Sequence, residues 1–528
     1  MKKVLIADKL PQECMDILKD AGFETEYNPG LSPEELSDAL KGVSGVICRS
    51  GAKLTENVLE GADQLEAICR AGVGVDNIDI MAASRKGTVV MNTPGANTIS
   101  TAEHAFALML ALARNIGPAY LSMRESRWDK KKYKGSQLSG ATLGIIGLGR
   151  VGQAVAKRAL AFGMHVVGHD PYIGRETAQK LGVDMVDDLD DLLERADYLT
   201  VHVPENENTR HMISDEEVDK MKDGARIINC ARGGVVDQQA VEKAVEEGRL
   251  AGAAFDVYPE EPPEDFSFSQ SDAILATPHL GASTEEAQLA VAKQAATQMV
   301  DALKHQEFSN ALNVTVVARE EMEFLKPYCN LAHQLGKAVA QLNRGRPDSV
   351  KINCKGALAD RELDPIKNYA VMGVLQTMLG GSVNMVSAPH LAEERGLKIT
   401  TSTTSTLEAG FTDLLEITLV TEEGDMQVTG TVFGRKHPRI VGVGNFEVEI
   451  LPEGHLLMVF GKDKPGFIGY VGETLAKAGI NIARMGFGRE EAGGKALVAL
   501  NLDTRCEKDV REKVLENELV EKVMPLEL

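Results

Sequence analysis

The stretch from Leu143 to Asp170 constrains the fold more than any other: an apolar strand, a glycine turn, a helix running to Phe162, and a second apolar strand ending at Asp170. Gly147, Gly149 and Gly152 follow the G-x-G-x-x-G spacing. In that spacing the first glycine turns the chain tightly, the second lets backbone approach a pyrophosphate, and the third lets helix pack on strand. The helix N-terminus then offers free N–H groups to the phosphate. Asp170 falls where a carboxylate would hold a ribose hydroxyl, which favours NAD over NADP because the same charge repels a 2′-phosphate. Arg175 nearby is a charge of the opposite preference. A unit of this kind requires a parallel sheet covered by helices.

At 528 residues the chain exceeds one core, and about 100–200 residues per domain implies roughly three to five domains. With 43% hydrophobic and 26% charged residues it is a soluble globular composition. The net charge of −21 argues against nucleic-acid binding, which needs clustered Lys and Arg, so an anionic substrate must meet a local positive pocket. Cys14, Cys48, Cys69, Cys230, Cys329, Cys354 and Cys506 are scattered with no C-x-x-C pair. They are expected to be reduced thiols of a cytoplasmic protein without a metal. The apolar run at the N-terminus is too short for a signal peptide, and no stretch is expected to span a membrane.

The chain opens as a βα unit, with a strand at Val4–Ala7 and a helix at Gln12–Asp20. Strands at Val43–Cys48, Leu65–Cys69 and Val89–Asn92 and helices at Pro33–Leu40 and Glu56–Gly61 continue the alternation. The first lobe is therefore an open α/β domain, and such sheets bind ligands beyond the carboxyl ends of their strands. Those ends carry Arg49-Ser50-Gly51, Arg70 through Gly74, and Asn92 through Asn97, and the two arginines could neutralise an anion. A buried helix is expected over Ser100–Arg114, capped by Ser100 or Thr101, with His104 as a hydrogen-bonded core histidine. The basic segment Arg124–Lys134 holds Trp128 and Lys130 and is expected to be a solvated loop or an anchor for a second subunit. Beyond an acidic helix within Val183–Glu194, three more buried strands end in Arg232, in Glu260-Glu261 and in His279, all at the edge that carries the glycine turn.

Oxidising a 2-hydroxy acid with a nicotinamide requires a cation for the carboxylate, a base for the hydroxyl proton and an acceptor face for hydride. Arg232 supplies a bidentate fork, with Gly233 and Gly234 allowing close backbone approach. His279 titrates near neutral pH and can take and return the hydroxyl proton, and Glu261, if bonded to the imidazole, fixes its tautomer.

Gly147-Leu-Gly-Arg-Val-Gly, Cys230-Ala-Arg-Gly-Gly, Glu260-Glu-Pro-Pro and Pro278-His-Leu-Gly-Ala-Ser-Thr together resemble the D-isomer-specific 2-hydroxyacid dehydrogenases, over essentially the whole chain. The likeness is to the long members of that family that oxidise 3-phospho-D-glycerate to 3-phosphohydroxypyruvate with NAD at the entry to L-serine synthesis. It implies Arg232, Glu261 and His279 as the catalytic set. It also implies cofactor contacts at Gly147, Gly149, Arg150, Val151, Gly152, Asp170, Val203, Cys230, Asp256, Leu280, Gly281 and Ala282. The substrate would be a phosphorylated hydroxy acid held by Arg49, Ser50, Gly74 and Asn97. By the same resemblance the first lobe is discontinuous, 1–96 plus 283–312, around an NAD-binding unit at 97–282, and the cleft between them closes over substrate. A homo-oligomer, dimer or tetramer, is implied, with Trp128 and Lys130 reaching a partner.

After Asn313 the pattern changes to a helix over Glu321–Leu342, then strands and loops with few helices, an α+β unit expected over 313–452. The run Thr400–Thr406 is expected to be a loop or an exposed strand, and Gly434-Arg-Lys-His-Pro-Arg forms a cationic cluster suited to an anion. Residues 453–528 resemble an ACT domain, a small amino-acid-sensing module, which implies Asp463 and Asn481 as contacts for L-serine or another amino acid. Gly461 departs from the larger hydrogen-bonding residue at that place in serine-regulated relatives. Two other functions compete: a dehydrogenase of unphosphorylated glycerate or 2-hydroxyglutarate, and an NAD-sensing protein that has lost catalysis.

Overall fold

The fold was analysed in a computed structural model that describes residues 1–528 except 344, 381–382 and 408–409. It is α/β, with two parallel-sheet lobes followed by two smaller α+β units.

The first sheet contains β1 (Lys3–Ile6), β2 (Glu24–Tyr27), β3 (Gly45–Cys48), β4 (Ala67–Arg70) and β5 (Val89–Asn92), all parallel, in the order β2-β1-β3-β4-β5. Its inner strands are short, continuously apolar and buried, as strands covered on both faces must be. The helix Glu285–His305 returns to this lobe and lays Ala292, Ala295, Ala296 and Met299 on Val4, Ile6 and Met91.

The second sheet contains β6 (Thr142–Ile146), β7 (His165–His169), β8 (Asp184–Met185), β9 (Tyr198–Val201), β10 (Arg226–Asn229), β11 (Gly252–Phe255) and β12 (Ile274–Ala276). All run parallel in the order β12-β11-β10-β9-β6-β7-β8, so the strand order reverses at β6. A doubly wound sheet binds dinucleotide beside that reversal. Two long helices, Thr98–Ala113 and Glu285–His305, link the lobes, and Ser100 Oγ bonds Thr284 Oγ1 at 2.8 Å where they meet.

Two expectations are corrected. The helix expected from Ser100 starts at Thr98, and neither Ser100 nor Thr101 caps it: the cap position is Asn97, whose side chain makes no capping bond. Ser100 and Thr101 already lie in the first turn, one bonded to Thr284 and the other buried. The region after 313 is also richer in helix than expected, with Asp364–Leu379 and Ser387–Glu394. The first of these is apolar on almost every face because it is buried against the helix Arg319–Leu342, so it carries no amphipathic period to read.

The third sheet contains β13 (Pro347–Gly356), β14 (Lys398–Thr404), β15 (Asp413–Thr421), β16 (Gly424–Phe433), β17 (His437–Val443) and β18 (Phe446–Ile450), in the order β14-β13-β15-β16-β17-β18. The Thr-rich run is thus mostly the exposed strand β14. The fourth, antiparallel sheet contains β19 (His455–Lys462), β20 (Ile482–Arg489), β21 (Lys495–Leu502) and β22 (Val520–Glu527), in the order β20-β21-β19-β22. The helices Phe467–Lys477 and Lys508–Leu515 complete a βαββαβ unit with the sheet. Its other face joins the core of the third sheet: Leu456, Met458, Leu497, Ala499, Met524 and Leu526 pack in one cluster with Leu335, Ile417 and Val448.

Candidate active site

The three glycines of the first turn divide their work as the spacing implies. Gly147 has φ +89°, and a Cβ there would stand 2.7 Å from the His202 carbonyl; one at Gly152 would stand 2.0 Å from the Gly147 carbonyl. Gly149 has nothing within 4 Å of that position, so this side is open to a phosphate. Gly149 also precedes the helix Arg150–Ala161 without a side-chain cap, leaving the first N–H groups, at Arg150, Val151 and Gly152, for an anion. Asp170 accepts from the N–H of Leu148 and of Tyr172, both at 2.8 Å, which ties the end of β7 to the turn and leaves lone pairs for a ribose hydroxyl. Arg175 is drawn into an ion pair with Asp187. Val203 closes the turn against Gly147, and Cys230 is buried, its thiol pushed well above the ordinary value by burial and by Asp256. Burial lowers His202 to about 4, so this imidazole is neutral beside the cofactor turn. An uncapped helix start, an open glycine face and a carboxylate at the next strand end fit NAD.

β10, β11 and β12 then deliver Arg232, Glu261 and His279 to one place. His279 Nδ1 lies 2.6 Å from Glu261 Oε2, and Glu261 Oε1 accepts the N–H of Tyr258 at 3.1 Å. Burial works to raise the Glu261 carboxyl, but the bond to His279 and the Tyr258 N–H outweigh it and hold it below the ordinary range. His279 sits at φ +54°, a region a side chain enters at a cost, and the turn is held there by Asp256. That carboxylate, 1% exposed, accepts from Leu280 N at 2.7 Å, Gly281 N at 2.8 Å, Thr277 Oγ1 at 2.6 Å and His104 Nε2 at 3.1 Å. Desolvation opposes its ionisation, yet these bonds keep it below the usual carboxylate range. His104 is thus the hydrogen-bonded core histidine expected. Asp256, Leu280 and Gly281 form one unit that aims His279, with Ala282 following in the wall of the cleft.

Arg232 Nε stands 3.4 Å from Asp76 Oδ2. The glycines after it allow close approach, as expected, but to protein: a Cβ on Gly233 would meet the Tyr258 carbonyl carbon at 1.9 Å, and one on Gly234 the Glu205 carboxylate at 2.4 Å. Gly233 therefore lets the Arg232 turn abut the loop that carries Glu261. Gly74 serves the first lobe similarly, since a Cβ there would stand 2.1 Å from Arg232 Nη2.

Arg232, Gly233, Tyr258, Glu261 and His279 border a cleft of about 1170 Å³ between the lobes. Arg49, Ser50, Gly74 and Asn97 line its first-lobe wall, opposite Arg232, Glu261 and His279. The structure adds Arg70, Asp76, Glu205 and Arg210. Burial, with Arg232 and Arg49 close by, lowers the Arg70 guanidinium from its ordinary value, and its Nε is buried without a partner. Arg70 was visible in sequence as a strand-end arginine. Asp76, Glu205 and Arg210 lie in turns with no motif to announce them, and Arg210 is held by Glu205 at 2.8 Å.

The profile of the D-isomer specific 2-hydroxyacid dehydrogenase NAD binding domain matches residues 106–281, and that of the D-3-phosphoglycerate dehydrogenase intervening domain matches 324–444. The D-3-phosphoglycerate dehydrogenase of Methanocaldococcus jannaschii is 43% identical over 516 residues, 98% of each chain. The chain belongs to the D-3-phosphoglycerate dehydrogenase family. The enzyme of the same name from Bacillus subtilis is 38% identical over 96% of each chain. Among solved structures, the NAD+-bound 3-phosphoglycerate dehydrogenase of Entamoeba histolytica matches 60% of this chain and 99% of its own, with TM-score 0.52 and 28% identity. As a D-3-phosphoglycerate dehydrogenase family member, the protein is an NAD-dependent dehydrogenase.

Two further regions of this dehydrogenase bear on the expected site. Trp128 lies in an irregular segment and is 78% exposed. Asp463 and Asn481 are not brought together within the chain: they flank opposite ends of the helix Phe467–Lys477. Asp463 is bonded to Arg489 and Gly493, and Asn481 to Asp503. Gly461 admits no larger residue, since a Cβ there would stand 2.1 Å from the Leu519 carbonyl and against the Phe467 ring. Among the described residues, no helix is long and apolar enough to cross a membrane.

Proposed function

We propose that the protein oxidises 3-phospho-D-glycerate to 3-phosphohydroxypyruvate, the entry to L-serine synthesis in the cytoplasm. The observation that carries this reading is the 2.6 Å Glu261–His279 pair, which with Arg232 lines one wall of a cleft whose other wall holds Arg49 and Arg70. Arg232 orients the carboxylate and the adjacent oxygen through its fork. His279 Nε2, the ring nitrogen turned away from Glu261, takes the hydroxyl proton, while Glu261 holds the tautomer and stabilises the imidazolium that forms. NAD, when bound on the glycine turn, accepts the hydride. Arg49, Ser50, Gly74 and Asn97 clamp the phosphate and carboxylate of the substrate, where the guanidinium cluster answers their charge.

The working form in this reading is a homo-oligomer, with the exposed Trp128 and Lys130 reaching a partner subunit. Amino-acid feedback acts through residues 453–528. Because Asp463 and Asn481 stand at opposite ends of one helix, a site using both is completed by a second copy.

The test is NADH formation from 3-phosphoglycerate and NAD at alkaline pH, beside unphosphorylated glycerate and beside His279→Ala. We expect phosphate-dependent turnover that falls about 10²- to 10⁴-fold in the variant. Preference for glycerate overturns the substrate assignment, and undiminished turnover in the variant overturns the base.

A further inference from the structure

Among the described residues, no hydrogen bond between backbone groups closes the turn Arg49–Ala52 on which two of the substrate groups stand. Its support comes from elsewhere. The first sheet runs β2-β1-β3-β4-β5, so its strand order reverses between β1 and β3, and the ends of those strands frame the crevice where a doubly wound sheet takes a ligand. In this lobe a side chain of the protein stands at that crevice and lines it. Asp8, just past β1, accepts with Oδ2 from the N–H of Arg49 at 2.6 Å and from that of Ala52 at 3.1 Å. From the other side, Asn77 Nδ2 donates to the Arg49 carbonyl at 2.7 Å and to the Ala52 carbonyl at 2.6 Å. One side chain holds the turn by its donors and the other by its acceptors.

Two more observations point the same way. A Cβ on Gly51 would stand 2.3 Å from Asp8 Oδ1, so the absence of a side chain at 51 is what lets the carboxylate reach the turn. Asn77 also follows Asp76, which pairs with Arg232 at 3.4 Å, so one dipeptide touches the Arg49 turn and the Arg232 guanidinium together.

We infer that Asp8 and Asn77 are positioning residues for the reaction: they fix the Arg49–Ala52 turn so that Arg49 and Ser50 present a preformed anion grip to the substrate. The inference rests on the reading of Arg49 and Ser50 as substrate-binding groups. A grip kept equally in ground and transition states sets KM and leaves kcat alone.

The experiment measures kcat and both KM values for the full-length enzyme with 3-phosphoglycerate and NAD, together with its melting temperature. The variants are Asp8→Ala, Asp8→Asn, Asn77→Ala, Gly51→Ala, Arg49→Ala and the double variant Asp8→Ala/Arg49→Ala. Asp8→Ala and Asn77→Ala are expected to raise KM for the phosphorylated substrate about tenfold, with kcat and KM for NAD within about twofold. Asp8→Asn, which keeps an acceptor oxygen, recovers most of the loss. Gly51→Ala, which displaces the carboxylate without removing it, reproduces the Asp8→Ala shift and serves if Asp8→Ala does not fold. In the Arg49→Ala background, Asp8→Ala adds clearly less than it does alone, because one of the two groups it acts through is gone.

The inference falls if Arg49→Ala raises the substrate KM while Asp8→Ala and Gly51→Ala leave it unchanged. It falls equally if the Asp8→Ala effect persists in full without Arg49, or if KM for NAD rises and the melting temperature drops in step. If Arg49→Ala leaves the substrate KM unchanged, the clamp reading falls and the inference with it.

Discussion

His279 shows what one position demands of its surroundings. Its backbone is left-handed, its ring is held by Glu261, and its loop is pinned by the buried Asp256. Removing Glu261 therefore changes both chemistry and stability. Glu261→Gln keeps the size but presents a neutral amide, and we expect kcat to fall about 10- to 100-fold, read as NADH formation. The Glu261 carboxyl is held below its ordinary value of 4.5 in the folded protein. Its stabilising contribution is therefore fully present above that value and is lost as pH falls through the folded-state value. Thermal melts of the parent and of Glu261→Gln should differ near pH 7 and converge as the pH drops below about 4. A gap that persists undiminished below about pH 3 contradicts a carboxylate stabilised by its bonds to His279 and the Tyr258 N–H. Arg232, Glu261 and His279 could be found in sequence because each follows a buried strand and carries chemistry the core does not need. Asp8 and Asn77 could not: their bonds to the Arg49–Ala52 turn span 41 and 28 residues, and neither side chain belongs to a motif.

At the scale of the element, the glycine turn shows how spacing turns into affinity. Gly152 is in the helix and could accept a side chain on propensity alone, but its Cβ would collide with the Gly147 carbonyl, a backbone atom that cannot rotate away. Gly152→Ala is expected to weaken NADH binding at least tenfold in a fluorescence titration and to destabilise the fold by about 1–3 kcal/mol in urea melts. An unchanged dissociation constant contradicts the assignment of this turn. The helices around it were legible to differing degrees. Gln12–Asp20 presents one apolar face and was readable from its period, whereas Asp364–Leu379 is buried nearly all round and offers none. The start of Thr98–Ala113 was misplaced for a different reason: its Ser and Thr residues suit a cap, but the preceding turn enters the helix at Asn97 and puts them inside it.

For the whole molecule, two lobes joined by two long helices border one cleft, with Arg232, Glu261 and His279 on one wall and Arg49 and Arg70 on the other. Bringing those walls onto a small phosphorylated acid excludes water and completes the site. We expect small-angle scattering to show a smaller radius of gyration with NADH and substrate than without, and identical curves would argue against closure. The sequence by itself determined the parallel-sheet lobes, the dinucleotide turn and the strand-end residues, because alternation, glycine spacing and buried apolar runs are local properties of a chain. Only the tertiary structure decided two other matters. It merged the cores of the third and fourth sheets and brought Asp8 onto the Arg49–Ala52 turn. Each depends on which distant surfaces meet, and packing between segments remote in sequence leaves no periodic trace in the residues that make it.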